Sequence, residues 1–143
     1  MEGMSQNKHD LLFARDLGKL LDEHHGTEVV VMDMRSLNFW TDFFVIATTT
    51  SSTHLAGLER HIKDFARDKG LEILNRSRKP LRGTDAGSLE HGSTERSSDE
   101  WCLLDFGFMV VHLMSARLRS FFELERLWSA APLIYQTGNS KSR

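Results

Sequence analysis

The sequence predicts an α/β domain: one mixed β-sheet with helices packed against it. Three observations lead there. Val29–Met32 and Phe43–Ala47 are continuous apolar runs rich in β-branched and aromatic residues, which suits short strands buried on both faces. Two longer segments, Asp10–His25 and one ending near Lys69, repeat apolar residues every three or four positions, the period of a helix with one buried stripe. Trp101–Leu104 and Met109–Leu113 flank a short turn containing Gly107, the pattern of a hairpin. The order is α-β-β-α-β-β-β-α.

In the first helix, Leu11, Leu12, Leu17, Leu20 and Leu21 fall near one stripe. Asn7 or Asp10 can cap its start and Gly26 can end it. His24 and His25 lie in its last turn, where positive charge favours the helix dipole. The first strand, Val29–Met32, is followed by a turn-rich connection over 33–42 that holds Asn38, Phe39 and Trp40. After the second strand comes Thr48-Thr49-Thr50-Ser51-Ser52-Thr53, in which Thr50, Ser51 or Ser52 can cap the next helix. Leu55, Leu58, Ile62 and Phe65 form that helix's apolar stripe and Gly70 stops it. Leu71–Leu74 reads as a third strand, so that strand, helix and strand make a parallel crossover. Asn75–Ser98 holds many Ser, Arg, Gly and Thr and few apolar residues. Such a segment buries too little surface to offset its ordering entropy and reads as a mobile insertion. After the hairpin, a last helix over about 116–128 places Leu118, Phe121, Phe122, Leu124, Leu127 and Trp128 at its apolar positions, and Pro132 follows its end. The reading is one domain over 10–134, with a polar N-terminal extension over 1–9 and a polar tail over 135–143.

The 143 residues suffice for one core. No apolar run approaches the roughly 20 residues of a membrane helix, and Met1–Asp10 lacks a signal-peptide stretch. A cytoplasmic protein that does not span a membrane is the expectation. The single cysteine, Cys102, permits no intrachain disulfide and sits in an apolar run as a small core residue. The formal net charge is −2. A protein that grips nucleic acid chiefly by neutralising phosphates carries a basic excess, so a protein surface is the expected principal partner even on an RNA-containing machine.

No catalytic constellation emerges. There is no Gly-rich phosphate loop and no nucleophile elbow. His54 and His61 are seven apart, too far for the usual i, i+4 metal pair. The Thr48–Thr53 loop could hold an anion at a helix N-terminus. A nucleotidyltransferase, however, would need a Gly-Ser pair there and converging carboxylates. The chain has only Asp33, Asp42 and an isolated Asp105 to offer. A nucleotide-binding or nucleotidyl-transferring enzyme is therefore the alternative reading, using Thr48–Thr53 with Asp33 and Asp42. No cofactor or metal is expected otherwise.

Interaction features stand out more. Trp101 opens a strand directly after a polar segment, and Asp105, Phe106, Gly107 and Phe108 follow at the hairpin tip, where core packing alone explains aromatics poorly. His112 lies inside an apolar strand, either as a hydrogen-bonded semi-buried histidine or as a contact at the edge of a binding patch. Arg76, Arg78, Lys79 and Arg82 form a basic cluster in the insertion, either a solvated loop or a flexible contact to RNA.

Three segments carry a family resemblance. Asp42-Phe43-Phe44-Val45-Ile46-Ala47-Thr48 with Thr50-Ser51-Ser52-Thr53-His54 resembles the Asp-Tyr-Phe-Val-Ile-Ala-Thr-Gly-Thr-Ser-Ser-Arg-His segment of the ribosome silencing factor, or Iojap, family. Trp101-Cys102-Leu103-Leu104-Asp105-Phe106-Gly107 and Val110-Val111-His112 resemble its Trp-Val-Leu-Leu-Asp-Tyr-Gly-Asp and Val-Val-His. Arg119, Phe122, Leu124, Glu125, Leu127 and Trp128 resemble its Arg-x-x-Tyr-x-Leu-Glu-x-Leu-Trp ending. The resemblance runs from about Leu11 to Trp128. It implies a nucleotidyltransferase-like fold without that catalysis, and binding to ribosomal protein fourteen of the large subunit. Binding there would exclude the small subunit sterically and repress translation. An assembly role on the same subunit and self-association as a homodimer are also implied. Carried onto this chain, the expected contact set is Trp101, Asp105, Gly107, Phe108 and His112 with Arg119 and Phe122. In that set Trp101 and Phe122 are anchors, and Asp105 and Arg119 fix register or hold each other. The sequence departs from the family pattern at Phe108, where an acidic residue is usual, at Thr49, where Gly is usual, and in the lengthened 75–98 connection.

Overall fold

Every residue of Phe43–Thr49 is buried, which marks this strand as the centre of the sheet. In the computed structural model, which describes residues 2–37, 41–78, 100–122 and 131–137, the chain runs α1 (Glu2–Glu23), β1 (Thr27–Asp33), a short 3-10 turn (Arg35–Leu37), β2 (Phe43–Thr49), α2 (Ser52–Lys69), β3 (Asn75–Ser77), β4 (Trp101–Asp105), β5 (Met109–Ser115), α3 (Ala116–Phe122) and β6 (Leu133–Gln136). The six strands form one mixed sheet in the order β3-β4-β5-β2-β1-β6. Only β2 and β5 pair in parallel; the other neighbours are antiparallel. The expected α/β architecture and order are observed, with one further strand at the end.

Strand alternation divides the sheet into two faces. On one, Val29, Val31, Phe43, Val45, Ala47, Cys102, Leu104, Met109, Val111 and Leu113 pack with Ala14, Leu17 and Leu21 of α1 and with Leu55, Leu58, Ile62 and Ala66 of α2. Cys102 is fully buried there, and burial, reinforced by nearby Glu59, pushes its thiol up to about 12. The other face gathers Val30, Met32, Met34, Phe44, Ile46, Val110 and Ala131.

Several boundaries differ from expectation. α1 begins at Glu2, so neither Asn7 nor Asp10 is its cap; residues 2–9 hold no proline, and Glu2, Met4, Gln6 and Lys8 among them favour helix. At its other end the left-handed residue is His25 (φ 72°) and not Gly26. The Gly26 amide donates to Leu21 O at 2.8 Å and that of His25 to Asp22 O at 3.1 Å, the paired bonds of a Schellman motif. Gly26 is needed for closeness, since a Cβ there would lie 2.9 Å from Leu21 O. The α2 ends are as expected: Ser51 Oγ accepts from the His54 amide, and Gly70 at φ 72° closes the helix.

The third strand is displaced. Leu71–Leu74 does not join the sheet; Leu71 and Ile73 pack partly on the core beneath the end of α2, and pairing with β4 starts at Asn75. β3 runs parallel to β2, as the crossover predicts, but two strands lie between them. The expected insertion therefore begins as an edge strand, and its part from Lys79 onward falls outside the described residues, as do Asn38, Phe39, Trp40, Leu124, Leu127 and Trp128. β6 crosses the expected 134/135 boundary. Its Tyr135 Oη donates to Asp22 at 2.7 Å and the Val29 amide donates to Thr137 Oγ1 at 2.9 Å, fastening the C-terminal segment to α1 and β1.

Candidate functional site

β4 alternates half-buried and buried positions, with Trp101, Leu103 and Asp105 half-buried and Cys102 and Leu104 buried. Cys102 and Leu104 face α1 and α2, so alternation puts Trp101, Leu103 and Asp105 in a row on the opposite face. Antiparallel pairing sets Trp101 opposite Met114, Leu103 opposite His112, and Asp105 opposite Val110.

The hairpin tip is fixed from several sides. Asp105 Oδ1 accepts the Gly107 amide at 2.7 Å, and Gly107 takes φ 91°, where a side chain would be strained. Thr41 Oγ1 donates to Gly107 O at 3.0 Å, and the amides of Asp42 and Phe43 donate to Phe108 O at 3.2 and 3.1 Å. Asp105 thus spends one oxygen shaping its own turn. Phe106 is buried, while Phe108 is half-buried, with its ring centroid 6.3 Å from that of Phe13 in α1 and 6.4 Å from that of Phe106. Leu74, 59% exposed, lies beside Gly107.

His112 corrects one expectation. It is only 7% exposed, yet neither ring nitrogen has a hydrogen-bond partner. Its neighbour is the Phe44 ring, 5.1 Å between centroids. Burial alone lowers its pKa to about 4, so it is neutral at pH 7.

Arg119 corrects another. It is 5% exposed and donates from Nη1 to Glu28 O at 2.6 Å and to Thr48 Oγ1 at 2.9 Å. Glu28 has φ 49° at an irregularity in β1, and Arg119 braces it. Asp105 and Arg119 do not meet: one sits at the hairpin tip, the other beyond the far end of β5, roughly 20 Å away by strand rise. The side chain of Phe122 lies outside the described residues. Of the seven expected contact residues, Trp101 and Asp105 share one face of β4, Gly107 and Phe108 form its tip, His112 is buried beside Leu103 on the next strand, and Arg119 is turned inward at the other end of β5.

The same topology separates the parts of the alternative enzyme site. Asp33 pairs with Phe43 at one end of β2, whereas Thr48 and Thr49 are at the other. Both Asp33 oxygens are engaged by Arg35, whose side-chain bonds hold the carboxyl below the usual range. In the Thr48–Thr53 loop, Ser51 caps the helix and the Thr50 amide donates to His54 Nδ1 at 3.0 Å.

Sequence reasoning missed Glu59. It lies on the apolar stripe of α2, four residues after Leu55, and this placement was the available signal. Glu59 is 4% exposed. Arg76 Nε, Arg78 Nε at 3.3 Å and Lys63 Nζ at 3.3 Å all engage its carboxylate. Burial pushes its pKa up, but Arg76 and Lys63 outweigh that and hold it below the ordinary range. Arg76 and Arg78 are thus tied to ordered structure, while Lys79 and Arg82 lie outside the described residues.

The family model described as "Ribosomal silencing factor during starvation" matches residues 6–143. The Ribosomal silencing factor RsfS of Bacillus subtilis is 29% identical over 112 residues, covering 78% of this chain and 80% of that protein. That of Treponema pallidum is 31% identical over 115 residues, covering 80% and 88%. A mouse protein, "Mitochondrial assembly of ribosomal large subunit protein 1", is 30% identical over 79% of this chain and 43% of its own length. Crystal structures of proteins from Bacillus halodurans and Chromobacterium violaceum superpose with TM-scores of 0.60 each. The first is 23% identical and covers 90% of this chain and 98% of that one; the second is 22% identical and covers 81% and 86%. These two show the fold.

Proposed function

Because the chain belongs to the ribosomal silencing factor family, we propose that it binds the large ribosomal subunit at ribosomal protein fourteen and sterically blocks association with the small subunit. The observation that supports this reading is the half-buried row Trp101, Leu103, Asp105 on the face of β4 opposite α1 and α2, with exposed Leu74 at the hairpin tip and half-buried Phe108 on its α1 side. Aromatic anchors on a rigid strand dominate protein interfaces, each often worth about 2 kcal/mol or more. Asp105 shapes the turn and offers its remaining acceptor capacity. His112 packs beside the row on the neighbouring strand and Arg119 braces the start of α3 against β1 and β2, and Phe122 completes the contact set. No bond need form or break: one surface is bound and a second partner's footprint is covered, so inhibition follows occupancy. The protein acts in the cytoplasm, and self-association through the same surface would compete with the ribosome.

The test is capture of purified large subunits by the wild type and by Trp101→Ala, with subunit joining followed by sedimentation. Wild type is expected to bind and block joining, and Trp101→Ala to weaken both by tenfold or more, the equivalent of about 1.4 kcal/mol or more. Absence of binding by the wild type would overturn the reading. A second reading, assembly of the large subunit, is favoured by the name of the mouse relative. It predicts accumulation of immature large subunits on depletion, without effect on the joining of mature ones.

A further inference from the structure

The cation cluster on Glu59 has more positive charge than its structural task requires. A single opposite charge within about 4–6 Å already favours the ionised form of a carboxylate. Here Arg76, Arg78 and Lys63 share it. Arg78 is largely covered, at 14% side-chain exposure, whereas Arg76 and Lys63 are 43% and 46% exposed. Arg76 spends its Nε on Glu59, and its Nη amines have no partner among the described residues. Surplus charge of this kind, held rigid at the surface, is suited to a second anion.

The setting is equally specific. β3 is the edge of the sheet and all three of its residues are exposed. On α2, Arg60, Lys63 and Arg67 recur at i, i+3 and i+7, one stripe of the helix. Of these, Arg67 is paired with Asp64. Arg60, Lys63 and Arg67 of α2 with Arg76 and Arg78 make five cations, against Glu59, Asp64 and Asp68 of the same helix, in a chain whose formal net charge is −2.

We propose that the α2–β3 edge is a preorganised phosphate-binding site for the backbone of single-stranded RNA, in which Lys63 and Arg76 contact phosphates and buried Glu59 is the positioning residue. The guanidinium fork matches phosphate oxygens in geometry, and its anchoring by Glu59 removes part of the ordering cost that a free surface arginine would incur. Among the described residues the groups lie along an uncovered edge, which fits successive phosphates of a polymer better than one enclosed ion. Phosphate contacts of this kind position a protein without reading sequence. The choice of RNA rests on the ribosomal reading above.

The test uses the full chain and a labelled single-stranded RNA of about 20 nucleotides, longer than one site, with affinity measured by anisotropy from about 50 to 200 mM salt. Each phosphate contact contributes a slope of about 0.7 in log affinity against log salt. Lys63→Gln leaves both guanidiniums on Glu59, so it keeps the fold, and it should flatten the slope by about 0.7. Lys63→Gln with Arg76→Gln should flatten it by about 1.4 and weaken low-salt binding about tenfold. A wild-type slope in Lys63→Gln overturns the proposal whatever the stability of the double variant. So does absence of RNA binding by the wild type. Complete displacement of RNA by inorganic phosphate at constant ionic strength would also overturn it, reducing the site to one for a free ion. Capture of large subunits, run in parallel, separates the two ideas: RNA binding without subunit capture leaves this site standing and removes the ribosomal reading.

Discussion

His112 lies between Leu103 and Ile46 in the sheet, with neither ring nitrogen hydrogen-bonded. A buried polar group without a partner is costly, and here the cost grows with acid. The unfolded histidine takes a proton near pH 6.5, while burial lowers the folded value to about 4. The folded pKa is below the unfolded one, so below pH 6.5 the unfolded chain binds more protons. Stability is fully present above about pH 6.5 and is lost progressively as pH falls toward 4. The shift corresponds to about 3 kcal/mol. His112→Leu should remove this component. Urea unfolding at pH 7 and pH 4 should show a loss smaller than that of the wild type by about 3 kcal/mol. Asp33 and Glu100, held low by Arg35 and Arg117, lose stability over a more acidic range in both proteins, so the difference between the two isolates His112. Equal losses would mean that the imidazole gains a partner in solution.

At the scale of elements, the ends of the helices decide where the sheet begins. α1 turns into β1 through His25, which holds a left-handed conformation without being glycine. That conformation costs roughly 1 kcal/mol for a residue with a Cβ. His25 is exposed, so His25→Gly should raise stability by about 1 kcal/mol, read as an increase in thermal midpoint. A decrease would show that the His25 side chain contributes a contact worth more than the strain. His24, next to it, stacks on His61 of α2 with ring centroids 3.6 Å apart, and its carbonyl lies 3.2 Å from His54 Nε2. Three histidines spaced through the sequence thus join the two helices, a relation that helical periodicity within either one could not reveal.

For the whole molecule, the seam between the N-terminal helix and the C-terminal strand matters most. A Cβ at Gly18 would lie 2.5 Å from Val31 Cγ2 and 3.3 Å from the Tyr135 ring. Gly18→Ala should therefore push α1 from β1 and β6 and destabilise the protein by about 1–3 kcal/mol, as overpacking does. Denaturant unfolding measures the loss. Amide exchange should show it concentrated at Val29 and Thr137, where β6 is tied down. An unchanged midpoint would mean that this seam yields without cost. Insertion of β5 between β4 and β2 has a comparable reach. It puts half-buried β4 one strand away from the sheet centre, whereas the length of β2 divides Asp33 and Asp42 from the Thr48–Ser51 loop.

The sequence by itself determined the α/β class, the buried strands Val29–Met32 and Phe43–Ala47, the stop of α2 at Gly70 and its cap to within Thr50–Ser52, the β4–β5 hairpin and the family, because each is written in local periodicity, cap chemistry or a contiguous motif. It placed Trp101 and Asp105 on the hairpin, and alternation then gave them one face. The tertiary structure alone decided the rest. Leu71–Leu74 alternates like a strand, yet pairing begins at Asn75 because β4 sets the register. Leu133–Gln136 falls between Pro132 and a polar tail with no strand partner near it in sequence, and becomes β6 by pairing with β1. Arg119 resembles a surface contact in the motif, but the Glu28 carbonyl and Thr48 hydroxyl, 91 and 71 residues away in sequence, draw it inward. Glu59 appears in sequence as a lone flaw in an apolar stripe, and its meaning depends on Arg76 and Arg78 arriving from another element. Local signals fix what each segment is; which charges meet depends on strand order, which no single segment encodes.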